Sequence, residues 1–220
     1  MKEAMKLSLA LCVVCTAAGV LLAFANAQTA EARKAAEMRT KMEALQKVLP
    51  AFDNAPLEDT VQADDVTFYC ARSQGRLVAV AGEGATDKGF GGELRVLVGL
   101  EPDGKVRSVV VTAHKETPGL GTQATERKQQ KSIGDLFRGD QGDKAANGAD
   151  ALPPNPYLDQ FGGQGAVYSD VSQAPFKVTQ DGGRLDAVSG ATISSRAVAD
   201  AATVVATAFA ENRTRIVTGK

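Results

Sequence analysis

No charged residue occurs between Leu7 and Ala30, and this run constrains the chain more than any other feature. Wound as an α-helix, Leu7 to Ala27 extends about 32 Å, which matches the hydrocarbon core of a bilayer. Lys2 and Lys6 come before it. Basic flanks stay on the cytoplasmic side, so residues 1–6 are expected there and everything after residue 27 outside. Ala25-Asn26-Ala27 also has the form of a signal-peptidase site. Either reading exports the body. The length of the run favours an uncleaved, single-pass anchor at 7–27, in a cell inner membrane with the body on the periplasmic side.

The 220 residues suffice for one folded unit with a sizeable core. Lys and Arg total 25 against 26 Asp and Glu. That balance lacks the basic excess that grips a phosphate backbone, so nucleic acid is not an expected partner. Cys12 and Cys15 lie inside the apolar run, leaving Cys70 alone in the body, so no disulfide framework can form there. His114 is the single histidine, which rules out a histidine-based metal site.

Beyond the anchor, Ala35, Met38, Met42, Leu45 and Leu49 recur every three or four residues, predicting an amphipathic helix stopped by Pro50 within a juxtamembrane region at 28–65. Val66–Arg72 and Arg76–Ala81 read as a hairpin about Ser73-Gln74-Gly75. Leu94–Leu100 and Val106–Ala113 form a second pair about Pro102-Asp103-Gly104. A short helix is expected over Gln123–Phe137, and two strands over Lys177–Val188 turning at Asp181-Gly182-Gly183. A final helix is expected over Ser195–Ala210, with Val198, Ala202, Val205 and Phe209 on one face. The stretch 138–175, rich in Gly, Asp, Asn and Pro, reads as a long loop, either functional or a solvated connection. The sum is an α+β domain at 66–220, a curved antiparallel sheet with packed helices, preceded by one transmembrane helix.

Asp186-Ala187-Val188-Ser189-Gly190-Ala191-Thr192 stands between the last strand and the last helix, with Ser194 and Ser195 as candidate N-caps. Helix N-termini present unpaired N–H groups, and Gly190 and Ala191 let a bulky anion approach the backbone. Small residues before a helix also make ordinary turns. His114-Lys115-Glu116-Thr117-Pro118-Gly119-Leu120-Gly121 follows a strand and, taken alone, is a loop. Gly89-Phe90-Gly91-Gly92 enters another strand, and Phe90 there can face a ligand or fill core.

These three segments, in this order, resemble the FMN-binding domains of the Rnf G subunit and of the C subunit of Na+-translocating NADH:quinone reductase. Asp186, Ser189, Gly190, Ala191 and Thr192 match the D-x-x-[ST]-G-A-T flavinylation motif. His114 to Gly121 matches H-x-E-T-P-G-L-G, and Gly89 to Gly92 matches G-Y-G-G with Phe90 in place of tyrosine. The resemblance covers Gly89 to Ala206. It implies FMN held covalently on Thr192 through a phosphoester, placed there by a separate flavin transferase that splits FAD. Ser189, Gly190, Ala191 and Ser194 would surround the phosphate, and Glu116, Thr117, Gly119, Leu120 and Phe90 would approach the flavin. Asp186 is open to two readings, orienting the acceptor or an ordinary surface carboxylate.

The resemblance further implies an electron-transfer subunit of a membrane-bound, ion-translocating ferredoxin:NAD oxidoreductase, partnered by the other integral and peripheral subunits of the Rnf complex. The His114-led loop and the compact length favour this over the quinone reductase subunit or a stand-alone exported FMN domain. Thr122-Gln123 departs from the D-K-like pair common after the loop in Rnf relatives.

Overall fold

An uninterrupted helix, α1 (Lys2–Val48), opens the chain. The anchor and the amphipathic helix expected after it are thus one element, because no proline interrupts the sequence before Pro50. Among the described residues α1 is the one helix long and apolar enough to cross a membrane. The computed structural model describes residues 2–127, 152–165 and 176–218. By its contacts the chain divides into two compact units, Met1–Glu43 and Ala44–Lys220.

The second unit is built on five antiparallel strands in sequence order: β1 (Thr60–Ala63), β2 (Val66–Ser73), β3 (Arg76–Gly89), β4 (Gly92–Leu100) and β5 (Val106–Ala113). This is the expected α+β architecture. Both hairpins form at the expected turns, and β1 is a strand within the stretch expected to be a linker. Its partner β2 fixes it in register, from Thr60 opposite Tyr69 to Ala63 opposite Val66. Register shifts interrupt the ladders at Ala71/Arg72, Thr86/Gly89 and Arg95/Val96. Bulges of this kind bend and twist a sheet.

Side chains alternate between the two sheet faces with period two. Phe68, Cys70, Val80, Val96 and Val98 face one core, and Tyr69, Ala71, Ala79, Ala81 and Leu97 face the other. The second core is closed by Ala44, Leu45 and Val48 at the end of α1 and by Leu49 just after it. The first is closed by α3 (Thr192–Thr218), through Val198, Ala201, Ala202, Val205 and Phe209. This helix lies directly on β3, and glycine makes the approach possible. A Cβ on Gly82 would come within 2.4 Å of Val205 Cγ1, and one on Gly84 within 2.5 Å of the Ala201 carbonyl oxygen.

Three local expectations are corrected. The helix expected from Gln123 is a single turn, α2 (Thr122–Thr125), and Glu126 is already extended at φ −101°, ψ 134°. Asn155 Nδ2 donates to the carbonyls of Gln123 and Glu126, so a side chain takes the place of a further helical turn. Residues 128–137 lie outside the described residues. Lys177–Val188 is not a strand pair. It forms a 3-10 turn at Thr179–Asp181 and an isolated parallel bridge from Val178 to Leu185. The N–H groups of Arg184 and Leu185 both donate to the Lys177 carbonyl, which closes a knot of chain where a ladder would need one acceptor for each donor. Finally, the described part of the 138–175 stretch contributes to the core. Tyr157, Leu158 and Phe161 are buried at a 3-10 turn, Leu158–Phe161. Phe161 packs edge-on between Tyr157 and Phe176, at centroid distances of 5.6 and 5.2 Å.

Candidate functional site

The start of α3 defines the site. Gly190 adopts φ +79°, a left-handed conformation that glycine takes without Cβ strain, and this reverses the chain after Val188. Ala191 N then donates to the Val188 carbonyl and Ser195 N to the Ala191 carbonyl, both at 2.9 Å. The helical ladder begins with that second bond. Thr192, Ile193 and Ser194 therefore form the first turn, where N–H groups have no carbonyl four residues back to bind. Ser194 and Ser195, expected as N-caps, lie inside the helix because the reversal at Gly190 starts it three residues earlier than anticipated. Ser195 Oγ donates to the Ala191 carbonyl at 3.0 Å and accepts from Val188 N at 3.1 Å, tying the turn to the helix.

A second segment reaches this turn from the end of β5. The loop from His114 to Gly121 is held from within. Glu116 N donates to His114 Nδ1, Leu120 N to the Thr117 carbonyl, and Gly119 N to Thr122 Oγ1 at 2.9 Å. Glu116 folds inward, only 6% exposed, and Ser194 Oγ donates to its Oε2 at 2.7 Å. The β3–β4 turn supplies the third wall. A Cβ on Gly91 would lie 1.9 Å from the Lys115 carbonyl oxygen, so the two turns pack backbone to backbone.

Between them lies a cavity of about 310 Å³ lined by Phe90, Glu116, Thr117, Leu120, Gly121, Gly190, Ala191, Thr192, Ile193 and Ser194. Eight residues singled out in the sequence stand on its wall: Phe90, Glu116, Thr117, Leu120, Gly190, Ala191, Thr192 and Ser194. Gly119 and Ser189 are near it in sequence but off the wall. Asp186 belongs to a different, larger cavity of about 850 Å³, together with Tyr157 and Gln160. Its backbone is pinned there, N donating to Gln160 Oε1 at 2.6 Å. That cavity shares neither Thr192 nor the exposed apolar residues described next, which makes the smaller one the stronger candidate.

Apolar residues on this wall are unusually bare. Phe90 is 68% exposed, Leu120 54% and Ile193 49%, around the half-buried Thr192. Phe90 is thus not a core residue. Ile193 was not anticipated. The available signal was a β-branched apolar residue in the first helical turn, outside the buried stripe of Val198, Ala202, Val205 and Phe209.

The wall has the chemistry FMN requires: apolar surface left open for a flat ring, and a hydroxyl beside unpaired N–H groups for a phosphate. Thr192, Ile193 and Ser194 are the residues that would meet the phosphate. Phe90, Leu120 and Ile193 would meet the ring.

Residues 89–206 match the family model of the FMN-binding domain. The chain is 31% identical over 194 residues to the G subunit of the ion-translocating oxidoreductase complex of Haemophilus influenzae (strain PittEE), covering 84% of this chain and 79% of that protein. It is 30% identical over 204 residues to the protein of the same name from Pseudomonas aeruginosa (strain UCBPP-PA14), covering 88% and 80%. A third such protein, from Vibrio cholerae serotype O1 (strain M66-2), is 31% identical over 194 residues, covering 84% and 79%. Matches of this extent, over the segments that build the cavity, mean that the chain belongs to the FMN-binding domain family, with the G subunits of ion-translocating oxidoreductase complexes.

Proposed function

We propose that this chain is the electron-transfer FMN subunit of a membrane-bound, ion-translocating oxidoreductase complex, and that Thr192 carries the FMN through a phosphoester. The observation that carries this reading is the convergence of three separate segments on one cavity, with a threonine hydroxyl at the helix start and bare apolar side chains around it.

When bound, FMN supplies one- and two-electron redox chemistry. Attachment needs Thr192 Oγ1 to attack the flavin-side phosphorus of FAD on a flavin transferase. The diphosphate P–O bond breaks, AMP leaves, and the hydroxyl proton passes to the transferase. The N–H groups of the first turn of α3 and the positive end of that helix stabilise the phosphate oxygens. Leu120, Phe90 and Ile193 exclude water from the ring. A tether holds the cofactor at high effective concentration beside its redox neighbours.

Lys2 and Lys6 ahead of the apolar run support a cytoplasmic N-terminus and a periplasmic body. Electron transfer between ferredoxin and NAD, coupled to Na+ or H+ movement, follows from this reading. Affinity purification of the full chain from membranes tests it. Integral redox subunits are expected to co-purify, and the flavin absorbance is expected to bleach on addition of reduced ferredoxin. Isolation of the chain alone, with a flavin unresponsive to the complex's donors, would leave a stand-alone domain as the better reading.

A further inference from the structure

Among the described residues the cavity wall contains one ionisable side chain, and it is an acid. Its residues are Phe90, Thr117, Leu120, Ile193, small residues, two hydroxyl-bearing residues of α3, and Glu116. None of the described Lys, Arg or His residues stands on it. Cations nearby are engaged elsewhere. Lys88 Nζ meets Asp200 Oδ1 at 2.9 Å, and Arg196 Nε meets Asp181 Oδ2 at 2.6 Å, both in the neighbouring cleft on the far side of Ile193. Lys115, next to Glu116 in sequence, is exposed to solvent.

The Glu116 carboxylate is built in, not incidental. Glycine surrounds it. A Cβ on Gly121 would lie 2.4 Å from its Oε2, and one on Gly89 2.8 Å from its Oε1. Gly91 N lies 3.4 Å from Oε1, and Ser194 Oγ donates to Oε2 at 2.7 Å. Among the described residues no cation forms an ion pair with it. A phosphate in this cavity therefore sits beside a buried carboxylate that, among the described residues, is met by hydrogen-bond dipoles and no cation, and like charges at close range repel.

We infer that Glu116 is a specificity-determining residue that makes the cavity disfavour dissociable FMN, so that the flavin phosphate is retained by its bond to Thr192 and not by a cationic side chain. This rests on the proposal that the cavity holds flavin. Free FMN brings a phosphate of nearly two negative charges, whereas a phosphodiester-like linkage to Thr192 brings one. Glu116 thus penalises the untethered form more, and a body exported without its flavin does not scavenge FMN in a non-productive way.

The test uses the full-length chain produced without a flavin transferase, in detergent, titrated separately with riboflavin and with FMN while flavin fluorescence is read. Riboflavin has the ring and no phosphate. The native chain is expected to bind riboflavin at least as tightly as FMN. Glu116→Gln, which keeps an acceptor for Ser194, is expected to raise the FMN-to-riboflavin affinity ratio roughly tenfold, the scale of one partly screened charge at close range. Glu116→Ala should move the ratio the same way. A merely structural Glu116 would weaken both ligands together and leave the ratio unchanged, and that result would overturn the inference, as would native binding of FMN tighter than riboflavin. Absence of riboflavin binding to the native chain would instead remove the flavin cavity on which the inference depends.

Discussion

At the scale of single residues, position in the fold sets several similar hydroxyl groups apart. Four hydroxyls crowd the segment that resembles the flavinylation motif, yet they differ in what holds them. Ser195 is buried and bonded on both sides, Ser194 is committed to Glu116, and Ser189 stands off the cavity. Thr192 alone combines a place on the wall, partial exposure and the first helical turn. Leu120→Asp puts a charge against the expected ring surface. A shifted flavin spectrum and a lower potential are the expected outcome in a folded, flavinylated variant. Unchanged spectra would mean that Leu120 faces something else. Cys70 makes a contrasting prediction. Burial pushes its thiol up to about 11, Asp59 adding to the effect. The reactive thiolate is therefore scarce at pH 8. Alkylation of the native body by iodoacetamide at that pH should be negligible and should appear on unfolding, as read by mass. The motif residues on the cavity wall were named through the resemblance of three segments, in order, to the FMN-binding family, since taken alone those segments read as a turn and a loop. Ile193 was not, since an isoleucine in a helix usually packs inward and only the fold shows this one outside.

Elements form where local pattern and tertiary contact agree. Both β-hairpins were legible from the β-rich segments flanking Ser73-Gln74-Gly75 and Pro102-Asp103-Gly104, and the structure forms them there. Thr60–Ala63 was not legible, because four residues of mixed polarity become a strand only through pairing with β2. The same holds for Tyr157, Leu158 and Phe161. Their neighbours include Pro, Asn and Gly, and the turn they form packs against β5 and Phe176. Tyr157 Oη donating to the Ser195 carbonyl at 2.6 Å is one such long-range tie, running from the polar stretch to the turn that carries the site. The contact of α3 with β3 makes a quantitative prediction. In Gly84→Ala the new methyl meets the rigid Ala201 carbonyl, which cannot rotate away as a side chain would. Overpacking of this kind costs about 1–3 kcal/mol. Chemical denaturation should show a lower midpoint, whereas stability equal to the native chain would mean that α3 can lift off the sheet at no cost.

At the scale of the whole molecule, one continuous helix is the proposed membrane attachment of an exported body. The candidate span was legible in the sequence because an uncharged run of this length makes a helix long and apolar enough to cross a bilayer. The sequence could not reveal that the helix continues unbroken to Val48, since the change from apolar to charged composition after Ala30 looks like a boundary. Protease added to intact spheroplasts is expected to digest the body and spare the N-terminus, and protection of the body would reverse the assigned orientation. The central claim is the bond at Thr192, and the intact mass of the membrane-purified chain, co-expressed with a flavin transferase, addresses it most directly. The native chain is expected to carry the mass of one FMN after denaturation. Thr192→Val, which keeps the β-branched shape and loses the oxygen, is expected to fold and lack that mass. A Thr192→Val chain that still carries FMN through denaturation would contradict the assignment.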